Sequence, residues 1–288
     1  MKTNVSVVIC IRNVEKYLGK CIRSILDQTF KDFEIVMIDD MSVDNSKHVI
    51  EKFDDKRIRY FRNEKHLGIA KSRNRGLELS KGKHIFFTDG DCIVSKNWIE
   101  QGLKSLKAAE CVGVEGKIYY VSEEYKPTFS DDVCENKYGG QFMTGNIAYK
   151  KSVIKSVGGF DERYSYHEDR DLALRILKHG KIYFNPNMIV YVQQQTRTPK
   201  NLIESASHIR NRVYLFKKFK ERKQMLWRVV YPRNLTIVFF PPVVFLSLFF
   251  HRFAKLDNFK LLPFVYTHAI YERLQLWKEC ARERVFLI

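Results

Sequence analysis

No uncharged run in this chain reaches the roughly twenty apolar residues that a membrane-spanning helix needs. No two of its six cysteines form a Cys-x-x-Cys pair: Cys10, Cys21, Cys92, Cys111, Cys134 and Cys280 are scattered, several inside apolar runs. That spacing argues for reduced core thiols and against a zinc site or a disulfide framework. Glycine and proline are sparse, 14 and 7 in 288 residues, and 45% of residues are hydrophobic, which excludes wholesale disorder. Met1-Lys2-Thr3-Asn4 leads into a strand pattern without a charged and then apolar leader, so no signal peptide is expected. Acid is the minority charge: 33 Asp and Glu face 50 Lys and Arg, a formal net charge of +17. Such an excess implies an anionic partner, whether nucleotide phosphates, a nucleic acid or an acidic membrane surface. The length suits one large α/β domain with an appendage, or two modest domains.

What is present begins with a strand. Val5–Ile11 is near-continuous and β-branched, as expected of a strand buried on both faces of a parallel sheet. Arg12-Asn13-Val14-Glu15 reads as a loop, after which Tyr17, Leu18, Cys21, Ile22, Ile25 and Leu26 recur at helical spacing. Phe33–Ile38 predicts a second buried strand ending on Asp39-Asp40, and Asp44-Asn45-Ser46 caps a helix to about Phe53. Ile58–Phe61 predicts a short strand, His66-Leu67-Gly68 a loop and Ile69–Leu79 a helix. Ile85–Phe87 is a brief apolar strand that breaks into Asp89-Gly90-Asp91. This alternation produces a parallel sheet with right-handed crossovers and sets both acidic turns at one sheet edge, where such sheets bind ligands. A glycine between two carboxylates lets both face one hard cation, which in turn bridges to phosphate oxygens. Taken alone, the same turn is equally a solvated surface feature.

Several ordered stretches match a known pattern together. Val5-Ser-Val-Val-Ile-Cys-Ile-Arg-Asn13, Tyr17-Leu18, Ser24-Ile-Leu-Asp-Gln-Thr29 and Phe33-Glu-Ile-Val-Met-Ile-Asp-Asp-Met-Ser42 resemble the amino-terminal half of glycosyltransferase family 2. Arg73-Asn74-Arg75-Gly76, Thr144-Gly145-Asn146, Val157-Gly-Gly-Phe-Asp161 and His167-Glu-Asp-Arg-Asp-Leu-Ala-Leu-Arg175 extend the likeness to about Val192. The resemblance implies an α/β fold of the GT-A type, a Rossmann-like, mostly parallel sheet with flanking helices, in a catalytic domain of residues 1–222. It implies an inverting, metal-dependent hexosyltransferase using a nucleotide-diphosphate sugar. Donor contacts are expected from Ile11, Arg12, Asn13, Glu15, Asp40, Lys71, Asp89, Gly90, Gly145 and Asn146. Among these, Asp40 looks like the base-recognising residue. Asp91 looks like the direct ligand of a Mn2+ or Mg2+ ion, with Asp89 on the ribose or as a second metal contact. Asp169 looks like the catalytic base, with Glu168 beside it to orient the base or bind the acceptor.

The chemistry asks for those groups on its own terms. A departing diphosphate carries roughly two to three negative charges and needs a cation where that charge develops. Displacement at an anomeric carbon needs a base opposite the leaving group, and a carboxylate at a helix amino terminus stays ionised there. Glu168, Asp169 and Asp171 are equally an ordinary acidic first helical turn. Lys71 and Arg73 are expected at the diphosphate or on a solvated basic helix face, and Trp98 in the core. Two departures from the family pattern stand out. Arg12 occupies a position that is often aromatic and stacked on the base, a role a guanidinium also fills. Gln193, Gln195 or Arg197 is expected to replace a histidine that often follows the last strand.

The carboxyl-terminal third changes character. Basic residues from Arg210 to Arg228 interleave with Tyr214, Phe216, Phe219 and Trp227, and Leu235–Phe250 carries no charge but holds Pro241-Pro242. Proline breaks helices, so Leu235–Phe250 is expected as a re-entrant or interfacial hairpin within a helical, membrane-associating region of residues 223–288, drawn to anionic head groups on the cytoplasmic face of a membrane. A buried helical subdomain or a homo-oligomer interface is the other reading. Basic and aromatic residues also suit single-stranded nucleic acid, but that gives no reason for the uncharged run, and no nucleic-acid partner is expected. Leu256–Ile270 is expected as a second apolar element and Tyr271–Arg284 as an amphipathic helix with Leu274, Trp277 and Cys280 on one side. The expected acceptor is a lipid-linked or glycan hydroxyl or phosphate. The different-class alternative is a non-catalytic, membrane-attached binding module on a degenerate transferase scaffold.

Overall fold

Successive side chains of the first strand are buried on opposite sides, Val7 and Ile9 in one apolar cluster and Val8 in another, because helices cover both faces of the sheet. The structure, a computed structural model, describes residues 3–108, 110–120, 136–193, 208–219 and 262–283. Its elements run β1 (Val5–Ile11), α1 (Glu15–Leu26), β2 (Phe33–Asp39), α2 (Ser46–Glu51), β3 (Ile58–Arg62), α3 (Ile69–Leu79) and β4 (His84–Asp89). They continue with β5 (Cys92–Val94), α4 (Trp98–Leu106), β6 (Cys111–Tyr120), a 3-10 turn at Thr144–Asn146, β7 (Ile147–Lys150), α5 (Lys151–Ser156), α6 (Glu168–Ile176) and β8 (Lys181–Val192). Strand order is β3-β2-β1-β4-β7-β6-β8-β5. The first four strands in that order are parallel, and β7 and β5 run antiparallel to their neighbours.

The parallel half follows the sequence expectation element by element, with α2 ending at Glu51 rather than Phe53. Leu18, Cys21, Ile22 and Ile25 of α1 join Trp98 and Ile99 of α4 under one face. Ala70 and Leu77 of α3, Val153 and Ile154 of α5 and Leu172 and Ile176 of α6 cover the other. Register then aligns the strand ends: Ile11 lies opposite Asp39, and Cys10 opposite Asp89. Both acidic turns therefore meet at one rim.

The mixed half depends on close backbone approach. The β6–β8 pairing shifts register between Gly116 and Lys117. A Cβ on Gly116 would fall 1.9 Å from the Met188 carbonyl oxygen and 2.5 Å from Asn146 Nδ2. Neither atom belongs to a flexible chain end, so Gly116→Ala is expected to destabilise the protein by about 3 kcal/mol, read as a lowered denaturant midpoint at unchanged slope.

The chain divides into two compact units, the first drawn from Met1–Glu123 and Cys134–Gln194, where the sequence reading set a single boundary at 222. The described part of the second unit is a helix pair, α7 (Ile209–Phe219) and α8 (Leu262–Glu283). Lys217 pairs with Glu283 at 2.8 Å across that pair, and Arg210 with Glu279 at 3.8 Å. The expected amphipathic face is corrected here. At about 100° per residue, Leu276, Glu279 and Cys280 share one arc and are buried, whereas Leu274 and Trp277 are 53% and 45% exposed on the other side. Leu235–Phe250 lies outside the described residues, as does the start of the Leu256–Ile270 segment, the rest of which is the first part of α8. Among the described residues no helix is long and apolar enough to cross a membrane.

Candidate active site

Strained backbone marks the rim where the strands end. Among the described residues, four that are not glycine have positive φ: Asn13 at 55°, Met41 at 65°, Phe142 at 56° and His167 at 68°. Asn13 follows β1, Met41 follows β2, Phe142 precedes the Thr144–Asn146 turn and His167 precedes α6, so all four re-aim the chain around one cleft. Left-handed backbone costs about 1–3 kcal/mol at such residues and concentrates where a site must be held in shape.

Asp89 and Asp91 leave β4 on either side of Gly90. One oxygen of Asp89, Oδ1, accepts from Arg73 at 3.0 Å. The other faces Gly145 closely enough that a Cβ there would sit 3.3 Å from it. Gly145 is held in turn by Thr88, whose hydroxyl donates to its carbonyl at 3.1 Å. Asp91 is clamped by its backbone, its carbonyl accepting from the Gln193 backbone amide at 2.9 Å. Burial, and then the charge of Asp89, push the Asp91 carboxyl up to about 6.

Across the cleft, His167 turns the chain so that α6 begins on Glu168-Asp169. Glu168 is buried against Arg73. Asp169 accepts from the Arg170 amide at 2.7 Å and from the Thr144 amide at 3.4 Å. Burial, and then the neighbouring Glu168 charge, raise its pKa above the usual carboxylate range, and the Arg73 charge offsets only part of this. Asp171 sits inside the helix, paired with Arg175 at 2.7 Å.

The remaining expected donor contacts divide. Gly145 lies against Asp89, Gly90 packs against Ile11, Val14 and Leu18, and Arg12 is exposed. Asn13 and Glu15 instead tie two loops together: the Asn13 side-chain oxygen accepts from the Val43 amide at 2.8 Å, and the Glu15 carboxylate from the Asn45 amide at 2.7 Å. Ile11 is core. Asn146 has no free polar atom, accepting from Trp98 Nε1 at 2.8 Å and donating to the Lys117 and Met188 carbonyls at 2.7 and 2.9 Å. Lys71 is exposed and faces Glu162 at 3.7 Å. Arg73 is not a free phosphate ligand, since its guanidinium is taken by Asp89 and Glu168. Gln195 and Arg197 lie outside the described residues.

Asp40 uses its full acceptor capacity. Asn63 Nδ2 and the Leu67 amide donate to Oδ1, each at 2.8 Å, while the Gly68 amide and His66 Nδ1 meet Oδ2 at 2.9 and 2.7 Å. Burial raises its pKa, but the Leu67, Asn63 and Gly68 donors and the His66 charge outweigh that and hold it below the ordinary value. Arg12 Nη1 and His66 Nε2 lie 2.9 Å apart, so His66 stands between Arg12 and Asp40. His66 and Arg73 are the site residues that sequence reasoning underused. Their signals were the His66-Leu67-Gly68 turn beside an acidic strand end and the arginine of Arg73-Asn74-Arg75-Gly76.

A parallel α/β half-sheet with an Asp-Gly-Asp turn facing a helix-borne carboxylate defines a sugar-transferring enzyme of the GT-A type. Residues 6–160 match glycosyl transferase family 2, and the chain belongs to that family. It is similar to the glycosyltransferase GlyG of Streptococcus pneumoniae, 29% identical over 219 residues, covering 66% of this chain and 71% of that protein. It is also similar to WfaP of Escherichia coli, a UDP-Glc:alpha-D-GlcNAc-diphosphoundecaprenol beta-1,3-glucosyltransferase, 30% identical over 189 residues, covering 64% of this chain and 74% of that one. The fold matches the mannosyltransferase PcManGT of Pyrobaculum calidifontis, solved with GDP-Man and Mn2+. The TM-score is 0.63 at 14% identity, over 96% of this chain and 88% of that one.

Proposed function

We propose that the protein is an inverting, metal-dependent glycosyltransferase that moves a hexose from a nucleotide-diphosphate sugar to a hydroxyl of a lipid-linked or glycan acceptor. The observation that carries this is the convergence of Asp89, Asp91 and Asp169 on one cleft. Arg12 and the loop braced by Asp40 form the base end of the donor site. Asp169 accepts the proton of the acceptor hydroxyl as its oxygen bonds to the anomeric carbon. The bond from that carbon to the diphosphate breaks with its electron pair on the phosphate oxygen, so the configuration inverts.

The residues fit a hard divalent cation. Among the described residues no group of three or more His, Cys, Asp or Glu could hold a metal unaided. Two carboxylates are what a Mg2+ or Mn2+ site completed by substrate phosphates asks of the protein. Asp91, with Asp89, would hold the ion, which when bound would neutralise charge developing on the leaving diphosphate. An undecaprenyl-linked acceptor in WfaP and the basic, aromatic run from Arg210 support an acceptor at an anionic membrane surface, reached from its cytoplasmic face.

Nucleotide release by the purified full chain decides the matter, measured with UDP-glucose, UDP-GlcNAc and GDP-mannose, with and without Mn2+, and with a polyprenyl-diphosphate sugar as acceptor. Acceptor-dependent release that requires the metal is the expected result. Release that is identical in wild type and Asp169→Asn would leave the non-catalytic alternative standing.

A further inference from the structure

Arg73 is the one buried Arg or Lys among the described residues, 5% exposed, and it stands among the cleft's carboxylates. It rises from the middle of α3 and turns its two guanidinium arms to different chain segments. One arm reaches Asp89 at the end of β4 at 3.0 Å, and the other reaches Glu168 on the first turn of α6. The ring of Phe160 lies 5.9 Å from the guanidinium carbon, completing its enclosure. A surface helix face explains none of this, because an unpaired buried guanidinium would be strongly unfavourable. Added stability explains it poorly, since buried ion pairs seldom outdo well-packed apolar groups.

We infer that Arg73 is a positioning residue: its fork locks Asp89, in the donor half of the cleft, and Glu168, next to the base, into one frame. The inference rests on the transferase reading for its purpose, but not for its test. Arg73 holds only one oxygen of Asp89 and leaves the other toward Gly145 and the donor. It holds Glu168 so that Asp169, the next residue, faces the cleft. Its charge is also the offset to the carboxylate crowding there. The groups acting on Asp169 are Glu168 and Arg170 on its own helix, Arg73 from α3 and the buried Tyr149 hydroxyl from β7. Arg170 acts through its backbone amide, so Arg73 is the cation whose charge bears on Asp169. Removing it leaves Asp169 with its like-charged neighbour and no near compensation.

The test follows the Asp169 carboxyl by carbon-13 NMR in metal-free buffer, its resonance assigned by its loss in Asp169→Asn. In Arg73→Met the midpoint is expected to rise by at least about one pH unit, and in Arg73→Lys to stay near wild type. A lysine is a single point charge and cannot span both carboxylates. Arg73→Lys is therefore expected to lose at least tenfold in turnover of whichever donor above the wild type uses. A folded Arg73→Met with an unmoved midpoint overturns the inference. If that variant does not fold, turnover of Arg73→Lys within twofold of wild type overturns it instead. A wild type that turns over no donor defeats the transferase reading, whereas the NMR midpoints still decide whether Arg73 governs Asp169.

Discussion

Asp169→Asn protein is expected to bind its sugar nucleotide as tightly as wild type and to turn it over about 10³-fold more slowly, the usual worth of a positioned base. The amide keeps the shape, and its one oxygen still accepts from the Arg170 amide that holds Asp169 Oδ1 at 2.7 Å; only the longer contact at 3.4 Å, from the Thr144 amide to Oδ2, is lost. What it loses is the ability to take a proton. Isothermal titration for binding and single-turnover kinetics for chemistry separate the two. The wild-type pH profile carries the same information. Burial and Glu168 raise the Asp169 pKa, so the base is protonated, and turnover falls, on the acid side at a pH clearly above the ordinary carboxylate value of about 4. Stability runs the other way. A carboxyl whose folded pKa is raised contributes stability below its unfolded pKa and loses it as pH rises through the folded one. Above neutrality Asp169→Asn is accordingly expected to melt higher than wild type. A variant with normal turnover, or one that no longer binds donor, would remove Asp169 from the role of base.

Asp91→Asn is the second large effect. In wild type the Asp91 carboxyl is pushed up to about 6 by burial and then by Asp89, and a cation beside it would favour its charged form. Cations that neutralise a leaving diphosphate are worth several kcal/mol, so kcat/KM is expected to fall by about 10³. Thermal unfolding gives a reading free of activity. Mn2+ is expected to raise the wild-type midpoint by linkage and to leave that of Asp91→Asn unmoved. Without metal at pH 8 the variant is expected to be the more stable protein, its advantage shrinking as pH falls through about 6 and wild-type Asp91 takes up its proton. An equal Mn2+ shift in both proteins would show that the ion binds elsewhere.

How much of this the residues disclose in order is uneven, and the reason is physical. Apolar runs and helical spacing specified β1 to β4 with their helices: β1, β2 and the middle of β4 are buried and read as apolar runs, and the partly exposed edge strand β3 shows through Ile58, Tyr60 and Phe61. The strands β6, β7 and β8 carry no such local mark. Their pairing joins Gly113 to Tyr149 and Ile118 to Val190, contacts set by distant segments and by the room that Gly116 leaves for Met188. Within the site, the carboxylates themselves were legible, but their neighbours were not. Asn13, Glu15 and Asn146 stand where donor contacts are expected, yet one side-chain oxygen of Asn13 and of Glu15 is engaged by a loop amide, and both polar ends of the Asn146 side chain are taken. Arg73, expected at the diphosphate or on a solvated helix face, is buried and held by Asp89 and Glu168.

The sequence by itself determined the parallel half-sheet, the family and the carboxylates Asp89, Asp91 and Asp169, since each depends on local pattern and residue type. Only the tertiary structure decided which polar groups remain available, because a donor or acceptor is free or occupied according to what folds against it. That is how Asp40 comes to brace a loop, and how one buried arginine comes to join the two ends of the cleft.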